Sequence, residues 1–223
     1  MKVVIEPKYR PIAGKQDDFH KARKTVWARL ISAGTGAGKT YAGMYEAWRW
    51  TATYAGSIGL IFEPTYGMIT RILYPTFKDF FGYPIESHPL IKKFSKMENH
   101  VTWKNGSEWW LLGLDDPEKT EGQNADWAWL DEFRLVGGSG QVAQRKQKLA
   151  WDTIIRRLRG SSHGRSQDYP NGLWITTTPD APGSVLHDHF EHPTKKVESS
   201  QIFRWSIDDN PELSDNFRLE KAG

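Results

Sequence analysis

A chain of 223 residues is long enough for one α/β domain with a substantial core and short for two large ones. Its 30 basic and 27 acidic residues leave a net charge of +3, which excludes a strongly basic nucleic-acid coat and an acidic tail; any nucleic-acid contact must come from a local patch. The absence of cysteine excludes disulfide and thiolate chemistry, and at a mean hydropathy of −0.63 no apolar run nears the ~18 residues of a membrane span.

Residues 26–32 (VWARLIS) alternate apolar and polar side chains as a strand does. The glycine cluster AGTGAG follows, and then residues 39–54, rich in Ala, Met, Glu and Trp, read as a helix. Residues 57–62 (SIGLIF) form a short apolar run stopped by Glu63 and Pro64, the pattern of a buried parallel strand, and 65–80 read as the next helix despite Pro75. Residues 101–103 and 108–112 flank Asn105-Gly106 and predict a β-hairpin with a type I′ turn, an antiparallel insertion. The apolar run 127–130 (WAWL) leads into Asp131 and Glu132, and 141–158 then form a polar helix carrying Arg145, Lys146, Lys148, Arg156 and Arg157. Residues 173–178 (LWITTT) are the last strand, stopped by Pro179. Alternating strands and helices predict an α/β fold: a mainly parallel central sheet flanked by helices, plus the β-hairpin insertion. Trp27, Trp127, Trp129 and Trp174 fall in core strands, so packing is their expected role.

The strongest chemical signal is Ala33-Gly34-Thr35-Gly36-Ala37-Gly38-Lys39-Thr40. It matches the phosphate-binding loop G-x-x-x-x-G-K-[ST] at every defined position but the first, where Ala33 replaces Gly. Glycines let backbone N–H groups curl around phosphate oxygens, Lys39 reaches the β and γ phosphates, and the Thr40 hydroxyl can ligate Mg²⁺. A strand before the loop and a helix after it are the context that such a loop requires. WAWL ending in Asp131-Glu132 has the form of a Walker B strand, in which Asp131 contacts the magnesium shell and Glu132 polarises the attacking water. The expected fold is therefore a P-loop NTPase of the ASCE/RecA-like kind, with ATP and Mg²⁺ as cofactors. In open α/β sheets the ligand lies beyond the carboxyl ends of the strands, where both motifs would meet.

With these motifs in place the chain resembles the large terminase subunit, the DNA-packaging motor of tailed bacteriophages, in its ATPase half. Tyr9-Arg10-Pro11, Gln16 and Phe19-His20 stand ahead of the first strand as in that family's adenine-binding segment, and the resemblance implies that Gln16 reads the adenine. Thr176-Thr177-Thr178 match the family's coupling motif, which would sense the γ phosphate; Ile207-Asp208-Asp209-Asn210-Pro211 resemble the passage out of the ATPase core. The domain expected from this is 1–206, with 207–223 as the start of a linker towards an absent nuclease, so no nuclease activity is expected. The resemblance further implies double-stranded DNA, a portal protein and a small terminase subunit as partners, a homo-oligomeric ring, commonly a pentamer, and no membrane. The implied location is the host cytoplasm, transiently at the procapsid portal vertex.

Two positions depart from the family. Thr35 stands where many terminases carry an Arg in the loop, and Glu121-Gly122 stand where many have Arg-Gly before Walker B. An arginine finger is worth a factor of about 10³ to 10⁵ in rate. Arg156 and Arg157 are the expected catalytic replacements, with Arg134 and Lys119 behind them. Arg145, Lys146, Lys148, Arg156, Arg157 and Arg159 could also follow a DNA backbone. The competing readings are a superfamily 2 helicase-like translocase and a weakly hydrolysing, nucleotide-dependent assembly switch.

Overall fold

The structure, a computed structural model, describes residues 7–116, 124–158 and 171–210. Lys119, Glu121, Gly122, Arg159 and residues 211–223 lie outside them. One eight-stranded sheet organises these residues: β1 (Ala28–Ala33), β2 (Ile58–Glu63), β3 (Ile91–Ser95), β4 (His100–Trp103), β5 (Glu108–Gly113), β6 (Trp127–Asp131), β7 (Gly172–Thr177) and β8 (Ser200–Trp205), in the order β3-β4-β5-β2-β6-β7-β1-β8. All neighbours pair in parallel except β3 with β4 and β4 with β5. Helices α1 (Lys15–Lys21), α2 (Lys39–Thr53) and α4 (Tyr74–Phe81) cover one face; α5 (Gly140–Arg157) and α6 (Val185–Phe190) cover the other.

Alternation along the parallel strands sends their residues to two separate cores. Ile31, Ile61, Trp127, Trp129 and Trp174 pack under α2 and α4, whereas Leu30, Leu60, Leu130, Leu173 and Ile175 pack under α5 and α6. Burial on both faces is why β2, β6 and β7 read as continuous apolar runs. The tryptophans interlock with glycines. A Cβ on Gly43 of α2 would meet the Trp129 ring at 2.3 Å, and one on Gly59 of β2 would meet the Trp127 ring at 2.0 Å. These glycines are needed for close approach; Trp127, Trp129 and Trp174 pack in the core as expected, whereas Trp27 lies just before β1 and is half-buried against the second core.

Three expected elements differ in detail. Only Gly106 of Asn105-Gly106 has positive φ, and Gly106 N–H bonds to Trp103 O while Trp103 N–H bonds to Ser107 O. The turn is thus a three-residue loop with glycine in the left-handed position, since type I′ needs positive φ at both central residues. The hairpin it closes does not stand apart as an insertion: β5 joins the central sheet in parallel with β2. The helix at 65–80 accommodates Pro75 by a π segment at Ile69–Leu73 between α3 (Tyr66–Met68) and α4; its wider turn makes room ahead of the proline ring. In β1 the polar position Arg29 does not face solvent but lies fully buried under α1 and α2.

Candidate active site

The strand register sets Ser32 of β1 opposite Thr177 of β7 and Asp131 of β6 opposite Thr176, and Glu63 ends β2 at the same carboxyl edge of the sheet. The phosphate loop leaves β1 there. Gly36 and Gly38 take φ of 80° and 78°, which no other residue adopts cheaply, and Gly38 leads into α2. Ala33, the departure from the loop pattern, is the last residue of β1 with ordinary strand backbone, so this position tolerates a Cβ. Thr35 at the loop tip is exposed. The carbonyls of the loop are braced from the far end of the chain: Trp205 Nε1 donates to Ala37 O at 2.7 Å and Asn210 Nδ2 to Gly36 O at 2.8 Å. Asp209 also pairs with Lys15 at 2.7 Å. Within 207–210, the stretch expected to begin a linker, Asn210 thus contacts the phosphate loop and Asp209 contacts α1.

Two direct contacts join the sequence motifs. Thr40 Oγ1 donates to Asp131 Oδ2 at 2.9 Å, and Lys39 Nζ lies 3.3 Å from Glu132 Oε1 and 3.1 Å from Gly34 O. Asp131 is fully buried; Thr176 Oγ1 donates to its Oδ1 at 2.5 Å, and Trp129 Nε1 in turn donates to Thr176 Oγ1 at 2.7 Å. Burial, with the Glu132 charge added, raises the Asp131 carboxyl to about 6 against the opposing pull of these hydroxyl bonds. Glu132 has φ 42° and ψ 41°, a left-handed conformation costly for a residue with a long side chain. Its backbone N–H is held by Thr176 O at 2.6 Å.

One side chain at this edge was not anticipated. Glu63 ends β2, is fully buried, and neither carboxylate oxygen has a hydrogen-bond partner among the described residues. Burial first, then the charges of Asp131 and Glu132, push its carboxyl up to about 9. A charged residue closing an apolar strand next to the Walker B strand was the available sequence signal.

Thr176, Thr177 and Thr178 fill the gap between the two motifs, since β7 lies between β1 and β6. Thr178 Oγ1 accepts from Arg134 Nε at 2.7 Å and Thr177 Oγ1 from Arg134 N–H at 3.3 Å. Arg134 is thereby tied to the phosphate end. Arg156 and Arg157 are not: they end α5 where Arg157 O accepts from Ala125 N–H, just before β6 begins, and Leu158 O accepts from Asn171, just before β7. They sit at the amino edge of the sheet, about a strand length of ~17 Å from the loop of their own subunit. Arg145, Lys146 and Lys148 are exposed on α5, whereas Gln147 between them is buried and donates to Arg134 O and Val136 O.

Gln16 lies in α1, only 2% exposed, and lines a cavity of about 380 Å³ with Tyr9, Arg10, Ile12, Gly38, Tyr41 and Asn210. Its Nε2 is 3.2 Å from where a Gly38 Cβ would stand, so glycine there lets the amide approach the loop. The structure thus brings Gln16, the phosphate loop and the Asp131-Glu132 pair along one continuous edge.

A mainly parallel sheet flanked by helices matches known P-loop folds. The large terminase of the thermophilic bacteriophage D6E superposes with a TM-score of 0.70 at 16% identity, over 95% of this chain and 50% of that chain; its complex with ADP gives 0.69, 16%, 95% and 49%. The large terminase ATPase domain of Thermus phage P74-26 gives 0.60 at 17% identity, over 96% of this chain and 88% of that chain. The helicase domain of Hef from Pyrococcus furiosus gives 0.52 at 18% identity, over 94% and 40%. These likenesses carry the fold. The chain spans about half the length of the D6E terminase. No curated protein sequence matches it. The family described as terminase large subunit, T4likevirus-type, N-terminal, matches residues 30–221. The phosphate loop, the Asp131-Glu132 pair and the threonine run all fall within that match, and the chain belongs to the terminase large-subunit family.

Proposed function

We propose that this domain hydrolyses ATP and that the hydrolysis drives double-stranded DNA into a viral procapsid. The observation that carries the reading is the pair of contacts Thr40–Asp131 and Lys39–Glu132, which unite two motifs from distant parts of the sequence. Family membership and the nucleotide complexes of the D6E terminase, with ADP and with ATP-γ-S, support it.

The donor set fits Mg²⁺: one hydroxyl and one carboxylate, both oxygen, at a buried edge. Thr40 and Asp131 would hold it, and when bound it neutralises charge on the phosphates. The loop N–H groups and Lys39 bind the phosphate oxygens. As Lys39 turns to phosphate it leaves Glu132, whose freed carboxylate accepts a proton from the attacking water. The unusual backbone of Glu132 keeps its side chain at the loop rather than along the strand. Thr176, bound to Asp131, and Thr177 and Thr178, bound to Arg134, are the route by which loss of the γ phosphate reaches the rest of the domain. Arg134 is the arginine best placed to act within one subunit; Arg156 and Arg157 act, if at all, on a neighbour in a ring.

Double-stranded DNA, the portal, a small terminase subunit and a ring of subunits in the host cytoplasm complete this proposal through the family. The deciding measurement is phosphate release by the purified protein with and without double-stranded DNA, beside Glu132→Gln. Turnover lost in Glu132→Gln with ATP still bound is expected; unchanged turnover removes Glu132 from the chemistry, and no turnover by the parent favours an assembly switch.

A further inference from the structure

The cavity around Gln16 presents an accounting problem for an incoming base. A carboxamide oxygen accepts two hydrogen bonds, and both places on Gln16 Oε1 are taken, by Tyr9 O–H at 2.8 Å and Ile12 N–H at 3.0 Å. The Ile12 bond also fixes which end of the amide is oxygen, because a backbone N–H can only donate. Gln16 therefore offers the cavity only its N–H donors. The bidentate pairing of Gln with adenine needs both ends, Nε2–H to N7 and Oε1 from the 6-amino group. One of the two donors on Oε1 must leave, and the backbone N–H cannot.

Tyr9 can. Its hydroxyl lies 3.2 Å from a second acceptor, His20 Nε2. His20 Nδ1 lies 2.8 Å from Glu46 Oε2, and Glu46 Oε1 accepts from Arg29 at 2.8 Å. Burial pulls His20 below its ordinary value despite Glu46, so the ring is neutral; burial raises Glu46, but Arg29 and His20 outweigh this and leave it near 2. A neutral ring that donates from Nδ1 to a carboxylate has a bare Nε2, ready to accept. Burial also pushes the Tyr9 phenol up, so its proton stays.

The geometry points to a hydrogen-bond relay that determines base specificity: Tyr9 O–H turns from Gln16 Oε1 to His20 Nε2 when the 6-amino group of adenine enters, so His20 is a positioning residue for adenine recognition. It rests on the reading of Gln16 as the base contact. Guanine, with an acceptor in place of the amino group, gives nothing to the vacated lone pair, so ATP is preferred. Glu46 on α2 and Arg29 on β1 hold the tautomer on which the relay depends, tying base recognition to the two elements that carry the phosphate loop.

The test compares equilibrium binding of ATP, its 7-deaza analogue, which lacks N7, and purine riboside triphosphate, which lacks the amino group. In the parent protein the loss of the amino group should weaken binding about 5- to 10-fold, the value of one hydrogen bond. His20→Phe, which removes the second acceptor, should shrink that difference below about 2-fold. Tyr9→Phe should keep it, and adding Tyr9→Phe to His20→Phe should restore it; a purely structural role would not reverse in this way. If 7-deaza-ATP binds weakly but purine riboside triphosphate binds like ATP, Gln16 reads the base and the relay is wrong. If neither analogue nor Gln16→Ala changes affinity, the base reading itself falls and the relay with it. Should His20→Phe not fold, the analogue series on the parent protein and Tyr9→Phe decides alone: equal ATP and purine binding overturns the relay, and a retained difference in both upholds it.

Discussion

The two ends of the nucleotide groove are built on opposite principles. At the base end Gln16 Oε1, His20 Nδ1 and both carboxylate oxygens of Glu46 have partners, His20 Nε2 faces the Tyr9 hydroxyl, and of the Arg29 guanidinium only Nε and Nη2 have none among the described residues. At the phosphate end three carboxylates, Glu63, Asp131 and Glu132, crowd adjoining strand ends; among the described residues one has no partner on either oxygen, and one has a left-handed backbone. A neutral ring needs a finished surface with a small rearrangement, whereas phosphates and a cation need groups held in wait at a cost. Breaking the first end strands buried charge, whereas the second already holds a buried carboxyl unpartnered among the described residues.

The largest expected effect lies at the phosphate end. Lys39→Ala should lower ATP turnover about 10²- to 10³-fold, as loss of one fixed contact to developing charge does, with little change in melting temperature. Steady-state turnover and thermal melting would show a large stability loss instead if the comparison were wrong. At the base end the order should reverse: Glu46→Ala, which strands a buried Arg29, should cost about 3–5 kcal/mol in denaturant unfolding. A smaller effect is set by pH. The Glu63 carboxyl is raised from 4.5 to about 9, so the native state holds a proton that the unfolded chain has lost. Its contribution is full below about pH 4.5 and is lost as pH rises through about 9; Asp131, raised from 3.8 to about 6, adds the lower part of the window. Stability of the nucleotide-free protein should fall across pH 5 to 9, and Glu63→Gln should recover on the order of 2 kcal/mol at pH 9 while changing little at pH 5. A flat profile in the parent would mean that the phosphate end is not strained by its acids. The smallest effect belongs to neither end: Arg156→Ala and Arg157→Ala should leave turnover of the monomeric protein within about 2-fold, and stability within about 0.5 kcal/mol. A fall seen only where subunits associate would place either residue across an interface.

What was legible in the sequence follows from burial. The strands covered on both faces, β2, β6 and β7, announce themselves as apolar runs, and their carboxyl ends locate the loop and the acidic pair. The two strands that the sequence reading missed are the sheet's edges. β3 reads IKKFS, with Lys92 and Lys93 guarding an open edge, and β8 alternates as SQIFRW with polar residues outward. Half-exposed edges have no run to read. Within the site, motifs with fixed spacing were visible, while contacts made over long separations were not. Asn210 reaches Gly36 and Trp205 reaches Ala37, and Arg29, which looked like the outward position of an alternating strand, is the cation of a buried pair. The placement of Arg156 and Arg157 was hidden for the same reason, since composition marks them as cations but only the topology says which edge of the sheet they occupy.

The contact between Gly43 and Trp129 constrains how this sequence can change. Because a single methyl at position 43 would stand 2.3 Å from the indole, alanine there is closed while Trp129 remains. A lineage could exchange Gly43 for alanine only after the side chain at position 129 had shrunk, and that first step would leave a hollow under the helix that carries Lys39, with a cost of about 3–5 kcal/mol. The two positions therefore constrain each other sterically, and this close approach helps to set the interval between α2 and β6 across which Thr40 meets Asp131.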